Sequence, residues 1–93
     1  MRTGSRRRLR YLEVIWRESE TGHARLGLLV PRFQSTVVAR NRLRRRLREL
    51  WRRELLPEHP PWDVVLKARP EAYRASSAEL RQDLVDWREV AWP

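Results

Sequence analysis

The sequence predicts a single two-layer α+β domain, with helices packed on a small, mainly antiparallel sheet. Three observations carry this reading. Apolar residues alternate with period two in three separate stretches, and the helical period replaces that pattern after the second and again after the third. The order is therefore strand, strand, helix, strand, helix, with no internal repeat and no linker between domains. The 93 residues suffice for one core of modest size, so residues 1–93 are read as one domain.

Residues 1–9 hold few apolar side chains and contain the run Arg6-Arg7-Arg8, so they read as a flexible basic arm. Leu12, Val14 and Trp16 then alternate with Tyr11, Glu13, Ile15 and Arg17, a β-branched and aromatic pattern that suits a strand. Ser19-Glu20-Thr21-Gly22 is a turn signal. Ala24, Leu26, Leu28 and Val30 alternate with Arg25, Gly27 and Leu29 as a second strand. The two strands are expected to pair as an antiparallel hairpin, closed by Pro31, which has no N–H for a ladder.

From Val37 the period becomes helical, with Thr36 or Ser35 as the N-cap. Ala39, Leu43, Leu47, Leu50 and Trp51 share one face, and Pro57, with Pro60 and Pro61, stops the helix in a short stiff loop. Trp62, Val64, Leu66 and Ala68 mark a third strand, and the unbroken Val64-Val65-Leu66 makes it the most buried of the three. Pro70 ends it. Ser76 and Glu79 have capping-box spacing, and Leu80, Leu84, Trp87 and Ala91 follow on one face, placing the last helix at Ser77 to Val90.

Charge separates the two halves of the chain. The net charge is +9, but residues 1–53 carry sixteen Arg against four acidic residues, while residues 54–93 carry five basic against eight acidic residues. A half at +12 beside a half at −3 is the electrostatic footprint of a polyanion ligand. All but one of the basic side chains are Arg, Lys67 being the exception. The guanidinium fork matches phosphate bidentately and stacks on bases. No cysteine is present, which excludes disulfides and thiolate metal sites and fits a cytoplasmic location. No window approaches the run of about 18 apolar residues that a membrane helix needs, and the N-terminus lacks the apolar region of a secretory signal.

The positive charge concentrates on the first helix. Eight of the fourteen residues from Arg40 to Arg53 are Arg. On a helical wheel Arg40, Arg44 and Arg48 form a ridge on one flank of the apolar stripe. Arg42, Arg46 and Arg53 lie on the other, and Asn41, Arg45 and Arg52 face away. Only Glu49 and Glu54 relieve this charge, through i,i+4 pairs with Arg45 and with the neighbours of Arg53. Like charges at i,i+4 cost a few tenths (about 0.2–0.5) of a kcal/mol each, so a purely structural helix would intersperse more Glu. The pattern points to phosphate binding, with Asn41 as a neutral donor–acceptor group near the helix N-terminus.

The run from Val37 through Arg40-Asn41-Arg42 to Glu49 closely resembles the signature of the bacterial ribonuclease P protein subunit family, whose hallmark is an Arg-Asn-Arg box opening a basic helix. Leu26-Gly27-Leu28-Leu29-Val30 resembles the strand before that box, with Arg32 at a position usually basic in the family. Trp62–Pro70 looks like the last strand, and Ser76-Ser77-Ala78-Glu79-Leu80 like the start of the final helix, so the resemblance spans about residues 10–88. It implies a protein that binds the catalytic ribonuclease P RNA and assists removal of the 5′ leader from precursor tRNA. The RNA would do the chemistry with Mg²⁺, the protein would hold no cofactor, and no obligate protein partner is implied. Arg40, Asn41, Arg42, Arg44, Arg45, Arg46, Arg48 and Arg32 are then the expected RNA contacts. Tyr11 and, second, Phe33 are candidates for stacking on the single-stranded leader, although each also suits a packing role. The family fold includes a left-handed β-α-β crossover, against the usual handedness. The chain departs from the family in two respects. The N-terminal helix usually found there is expected to be absent, the chain starting almost at its first strand. Pro31, Phe33 and Ser35 stand where small polar, basic and glycine residues are common.

Other readings compete. A nuclease acting without RNA needs clustered carboxylates or a His-based acid–base pair, whereas the acidic residues here are scattered. His23 and His59 fall in turns without metal-ligand spacing and read as surface residues. A non-catalytic RNA-binding module, such as a ribosomal protein or RNA chaperone, fits the charge equally well. A DNA-binding helix fits less well, because no helix precedes the basic one at helix-turn-helix spacing. An exposed Trp92 near the terminus leaves room for a weak self-contact.

Overall fold

A computed structural model describes residues 4–55 and 59–92. Strands β1 (Ser5–Arg8), β2 (Leu12–Glu18), β3 (Arg25–Leu29) and β4 (Trp62–Ala68) form one sheet. Helices α1 (Val37–Glu54) and α2 (Ser77–Ala91) pack against one of its faces, and a 3₁₀ segment, Pro70–Arg74, connects β4 to α2. The two-layer α+β arrangement is the one the periodicity predicts.

Local chemistry explains the helix boundaries. Thr36 has an extended backbone, and its Oγ1 accepts the Ala39 N–H at 3.0 Å. Leu43, Leu47, Leu50 and Trp51 are buried, while Ala39 at the edge of the stripe is only partly covered. The helix ends at Glu54; the stop assigned to Pro57 lies outside the described residues. Ser76 and Glu79 form the expected capping box, each side chain bonding the other's backbone N–H, at 3.1 and 2.9 Å. Leu80, Leu84 and Trp87 point from α2 into the core, where they meet Leu12 and Val14 of β2 and Val64, Leu66 and Ala68 of β4. Each of the fully buried Leu and Val side chains contributes about 1.5–3 kcal/mol relative to exposure.

The strand pairing corrects one expectation. β2 and β3 do not form a hairpin: the sheet order is β1-β2-β4-β3, with β4 inserted between them. β2 pairs antiparallel with β4, from Leu12↔Ala68 to Glu18↔Trp62, and β3 pairs parallel with β4, from Arg25↔Asp63 to Leu29↔Lys67. The unbroken Val64-Val65-Leu66 run explains the choice, because a central strand has neighbours on both edges and the most apolar strand gains most there. Skipping one strand requires the 19–24 loop to span only about 10 Å, two interstrand spacings. Gly22, at φ 77°, makes the left-handed turn within it. α1 supplies the long connection that a parallel pair requires.

A second correction concerns the basic arm. Ser5–Arg8 is a strand rather than a flexible tail, pairing antiparallel with β2 from Ser5↔Trp16 to Arg8↔Glu13. Three arginines hide the strand signal, but backbone pairing to the free edge of β2 does not depend on side-chain type, and charge on an edge strand blocks further pairing. Arg69 anchors the turn that follows: its Nη1 donates to the carbonyls of Leu9 (2.8 Å) and Arg10 (2.9 Å).

His59 and Trp92 also depart from their surface assignment. Trp16, Trp51, Trp62, Trp87 and Trp92 gather at one end of the core, and the His59 ring lies among them, 4.7 Å from Trp51, 5.5 Å from Trp92 and 6.4 Å from Trp62. Neither His59 ring nitrogen has a hydrogen-bond partner among the described residues, and burial holds the imidazole pKa below its ordinary range, opposed only by the nearby Pro60 backbone. Residues far apart in sequence build this cluster, which is why spacing alone does not reveal it. His23, in contrast, is exposed.

Candidate nucleic-acid interface

Tertiary packing divides the arginines of α1 into two groups. Arg40 and Arg46 are tied to backbone carbonyls. Arg40 Nε donates to Val30 O at 2.7 Å, pinning the start of α1 to the end of β3, and Arg46 Nη1 donates to Ala75 O at 3.3 Å, ahead of α2. Arg42, Arg44, Arg45 and Arg48 have no hydrogen-bond or ion-pair partner among the described residues, and Asn41 is exposed. Arg32 folds back on its own loop, its Nε donating to Ser35 O at 3.3 Å.

The acidic relief takes partners other than those expected. Glu49 pairs with Arg52 and, at 3.7 Å, with Arg53 rather than with Arg45. A Glu placed N-terminal to its arginine is the stronger orientation on a helix, which explains the choice. The Arg52 guanidinium holds the Glu49 carboxyl below the usual range. Glu54 turns to α2 and meets Arg81 at 3.0 Å. The first turn of α1 carries no acidic residue, so its positive end is uncompensated.

The two aromatic candidates line one groove of about 430 Å³, together with Tyr73, Pro70, Arg74 and Glu79. Their roles separate there. Tyr11 is 9% exposed and its hydroxyl donates to Glu79 Oε2, a hydrogen bond that, with burial, raises its pKa. The Arg10 guanidinium lies 5.3 Å from its ring centroid. Tyr11 therefore forms a wall of the groove, its ring packed and its hydroxyl engaged. Phe33 is 41% exposed and packs edge-to-face on Tyr73 at 6.3 Å. It sits in the left-handed region with Gln34, at φ 49° and 73°, conformations that non-glycine residues rarely adopt away from functional loops. Tyr73, whose hydroxyl donates to Pro31 O, carries no signal in the sequence, because it lies in a 3₁₀ segment with no pattern of its own.

The face of the sheet opposite the helices is also basic. Ile15 and Val65 lie at its centre, flanked by Arg6, Arg8, Arg17, Arg25 and Lys67. Asp63 binds Arg25 through two hydrogen bonds, at 2.8 and 3.0 Å, and lies 3.6 Å from Arg17. Glu13 lies 3.6 Å from Arg6. Among the described residues, no group of three or more His, Asp or Glu side chains is placed to hold a metal ion, and no helix is long and apolar enough to cross a membrane.

The profile of the Ribonuclease P family matches residues 1–91. The chain belongs to this family. Among curated members named Ribonuclease P protein component, that of Thermus scotoductus is 40% identical over 85 residues, covering 91% of this chain and 49% of that protein. The one from Syntrophobacter fumaroxidans is 35% identical over 85 residues, covering 90% of this chain and 71% of that protein. The chain thus spans about half the length of its Thermus relatives. The RNase P protein from Thermotoga maritima superposes with a TM-score of 0.79 at 25% identity, over 97% of this chain and 86% of that one. The Staphylococcus aureus RNase P protein gives a TM-score of 0.82 at 23% identity, over 96% and 82%, a likeness of fold.

Proposed function

We propose that this member of the Ribonuclease P family acts in the cytoplasm as the RNA-binding subunit of ribonuclease P. It holds the catalytic RNA with α1 and assists removal of the 5′ leader from precursor tRNA. The observation that carries this reading is a set of guanidiniums displayed by one helix, Arg42, Arg44, Arg45 and Arg48, that find no partner among the described residues. Unpaired like charges on a helix destabilise it, and an RNA backbone supplies the missing counter-charge. Asn41, between Arg40 and Arg42, adds a neutral donor and acceptor at the same surface. Arg40, Arg46 and Arg32 act less directly, since each has a nitrogen committed to a carbonyl.

Leader contact is assigned to Phe33, supported by its exposure and by its seat against Tyr73 in the groove that Tyr11 walls. An exposed ring offers a stacking platform that tolerates any base. The bonds to phosphorus are made and broken by the RNA with its Mg²⁺, and the protein contributes binding and positioning without an obligate protein partner.

Reconstitution tests the proposal. The protein is mixed with a bacterial ribonuclease P RNA and precursor tRNA at low Mg²⁺, and leader release is followed. Stimulation over RNA alone is expected. Its absence removes the reading, and cleavage without any RNA partner would show an independent nuclease instead.

A further inference from the structure

A second groove, also of about 430 Å³, runs between α1 and α2 on the flank of α1 away from Arg44 and Arg48. Five guanidiniums line it: Arg42, Arg45, Arg46 and Arg53 from α1, and Arg81 from α2. Glu49, the one carboxylate among its described lining residues, is already engaged by Arg52 and Arg53. Arg42 and Arg45 have no partner among the described residues. α2 carries four acidic residues against two Arg, and Arg81 is the one that lines this groove. Glu49 offsets Arg53, and Glu54 lies 3.0 Å from Arg81 Nε. The five guanidiniums that two helices bring to this cleft still outnumber the carboxylates beside it, and that excess of like charge costs Coulomb energy that packing does not require. A bound anion would offset it.

The opposite wall strengthens the case. Ser77 and Ala78, the first residues of α2, line the groove, and a helix's first N–H groups have no intrahelical acceptor. The capping box serves the N–H groups of Ser76 and Glu79, which leaves those of Ser77 and Ala78 outside it. The α2 N-terminus thus adds its partial positive charge to that of the arginines.

We infer that the α1–α2 groove is a second phosphate-binding site, seating a phosphodiester of the RNA backbone between the two helices. The groups that seat it are Arg42 and Arg45, with Arg81 beside them, its Nε shared with Glu54. This inference rests on the RNA-binding reading above but is separate from the Arg44–Arg48 ridge. With the ridge on one flank of α1 and the groove on the other, the RNA grips that helix from both sides. Such a two-sided grip fixes orientation, which phosphate binding does without reading sequence.

The test compares two double variants of the full chain, Arg45→Ala/Arg81→Ala in the groove and Arg44→Ala/Arg48→Ala on the ridge. Their dissociation constants for a bacterial ribonuclease P RNA are measured across a salt series. Removing one arginine–phosphate pair should reduce the salt slope by about 1, so the groove variant is expected to lower it by roughly 2. Affinity should fall about tenfold or more. The Arg45→Lys/Arg81→Lys variant keeps the charge and should recover most of the slope. Thermal unfolding of each variant separates weakened binding from a damaged fold. Because the chain has no cysteine, Ala78→Cys also gives a unique point for a photo-crosslinker. It should capture the RNA, whereas Val90→Cys at the far end of α2 should not. A folded groove variant with wild-type slope, or equal crosslinking from both positions, overturns the second site while leaving the ridge intact. If the ridge variant also binds as wild type, the RNA-binding reading itself fails.

Discussion

The two helices pack on the same sheet, yet their charges serve opposite ends. α1 holds eight Arg against two Glu, no acid in its first turn, and four guanidiniums without partners among the described residues. α2 holds two Arg against four acidic residues, a reciprocal capping box, Glu79 at its positive end and Arg88 in its last turn. α2 caps part of its N-terminus and sets charges against its macrodipole. α1 leaves its first turn and flanks electrostatically open and depends on the sheet and α2 to stay helical. Both helices bury an apolar face, Leu43, Leu47, Leu50 and Trp51 from α1 and Leu80, Leu84 and Trp87 from α2. Only α2 also balances its own charge, while the solvent arc of α1 presents it.

That contrast can be broken most severely at Trp87. It is fully buried in α2 and touches Trp16, Trp51, Trp62 and Trp92. Trp87→Ala should cost about 3–5 kcal/mol in a urea titration, most of the stability of a small domain. A loss below about 1 kcal/mol would mean that α2 contributes little to the core.

Asp83 gives the next largest effect. Its Oδ2 accepts the N–H groups of Tyr11 at 2.7 Å and Leu12 at 3.1 Å, joining α2 to the start of β2 across 72 residues. Burial raises its pKa, and those two N–H groups oppose the rise. Asp83→Ala strands two buried donors and should cost about 2–3 kcal/mol. Asp83→Asn keeps an acceptor and should cost clearly less, and equal losses would show that the acceptor is not what matters.

On α1 the expectation reverses. Arg45→Ala should leave stability within about 0.5 kcal/mol of wild type, or raise it slightly, while weakening RNA binding. A large loss of stability there would make α1 a structural helix like α2.

The smallest effect is the pH response of His59, where Trp51 of α1, Trp62 of β4 and Trp92 after α2 converge, the Trp92 ring lying 5.9 Å from the Arg88 guanidinium. Its folded pKa is depressed, so the unfolded chain binds the proton more readily. Its contribution to stability is therefore intact above about pH 6.5 and falls as pH drops below that value towards the folded pKa. Tryptophan fluorescence across urea titrations at about pH 7.5 and about pH 5.5, either side of that value, would record it, and His59→Phe should abolish that component. An unchanged difference in His59→Phe would assign the pH response to other groups.

Much of this architecture is legible in the residues. The β4 limits, the Thr36 and Ser76 caps and the buried faces of both helices follow from short-range rules, because each depends on neighbours within about one or two turns. The Arg-rich solvent arc of α1 is equally local. β1 is hidden because its pairing lies in the backbone while its side chains are charged. Tyr11 looks available in the sequence because nothing local shows that Glu79 takes its hydroxyl.

The sequence by itself determined which segments become most of the strands and both helices, and where the positive charge accumulates, since backbone preference and amphipathic period are local. Only the tertiary structure decided that β4 separates β2 from β3, because strand order reflects competition among distant partners for the most buried position. It also decided which arginines remain available. Val30 O and Ala75 O engage Arg40 and Arg46, while Arg81 arrives from the other helix to complete the groove. A guanidinium's availability depends on which acceptors folding brings within hydrogen-bond reach, and here those acceptors come from elements distant in the sequence.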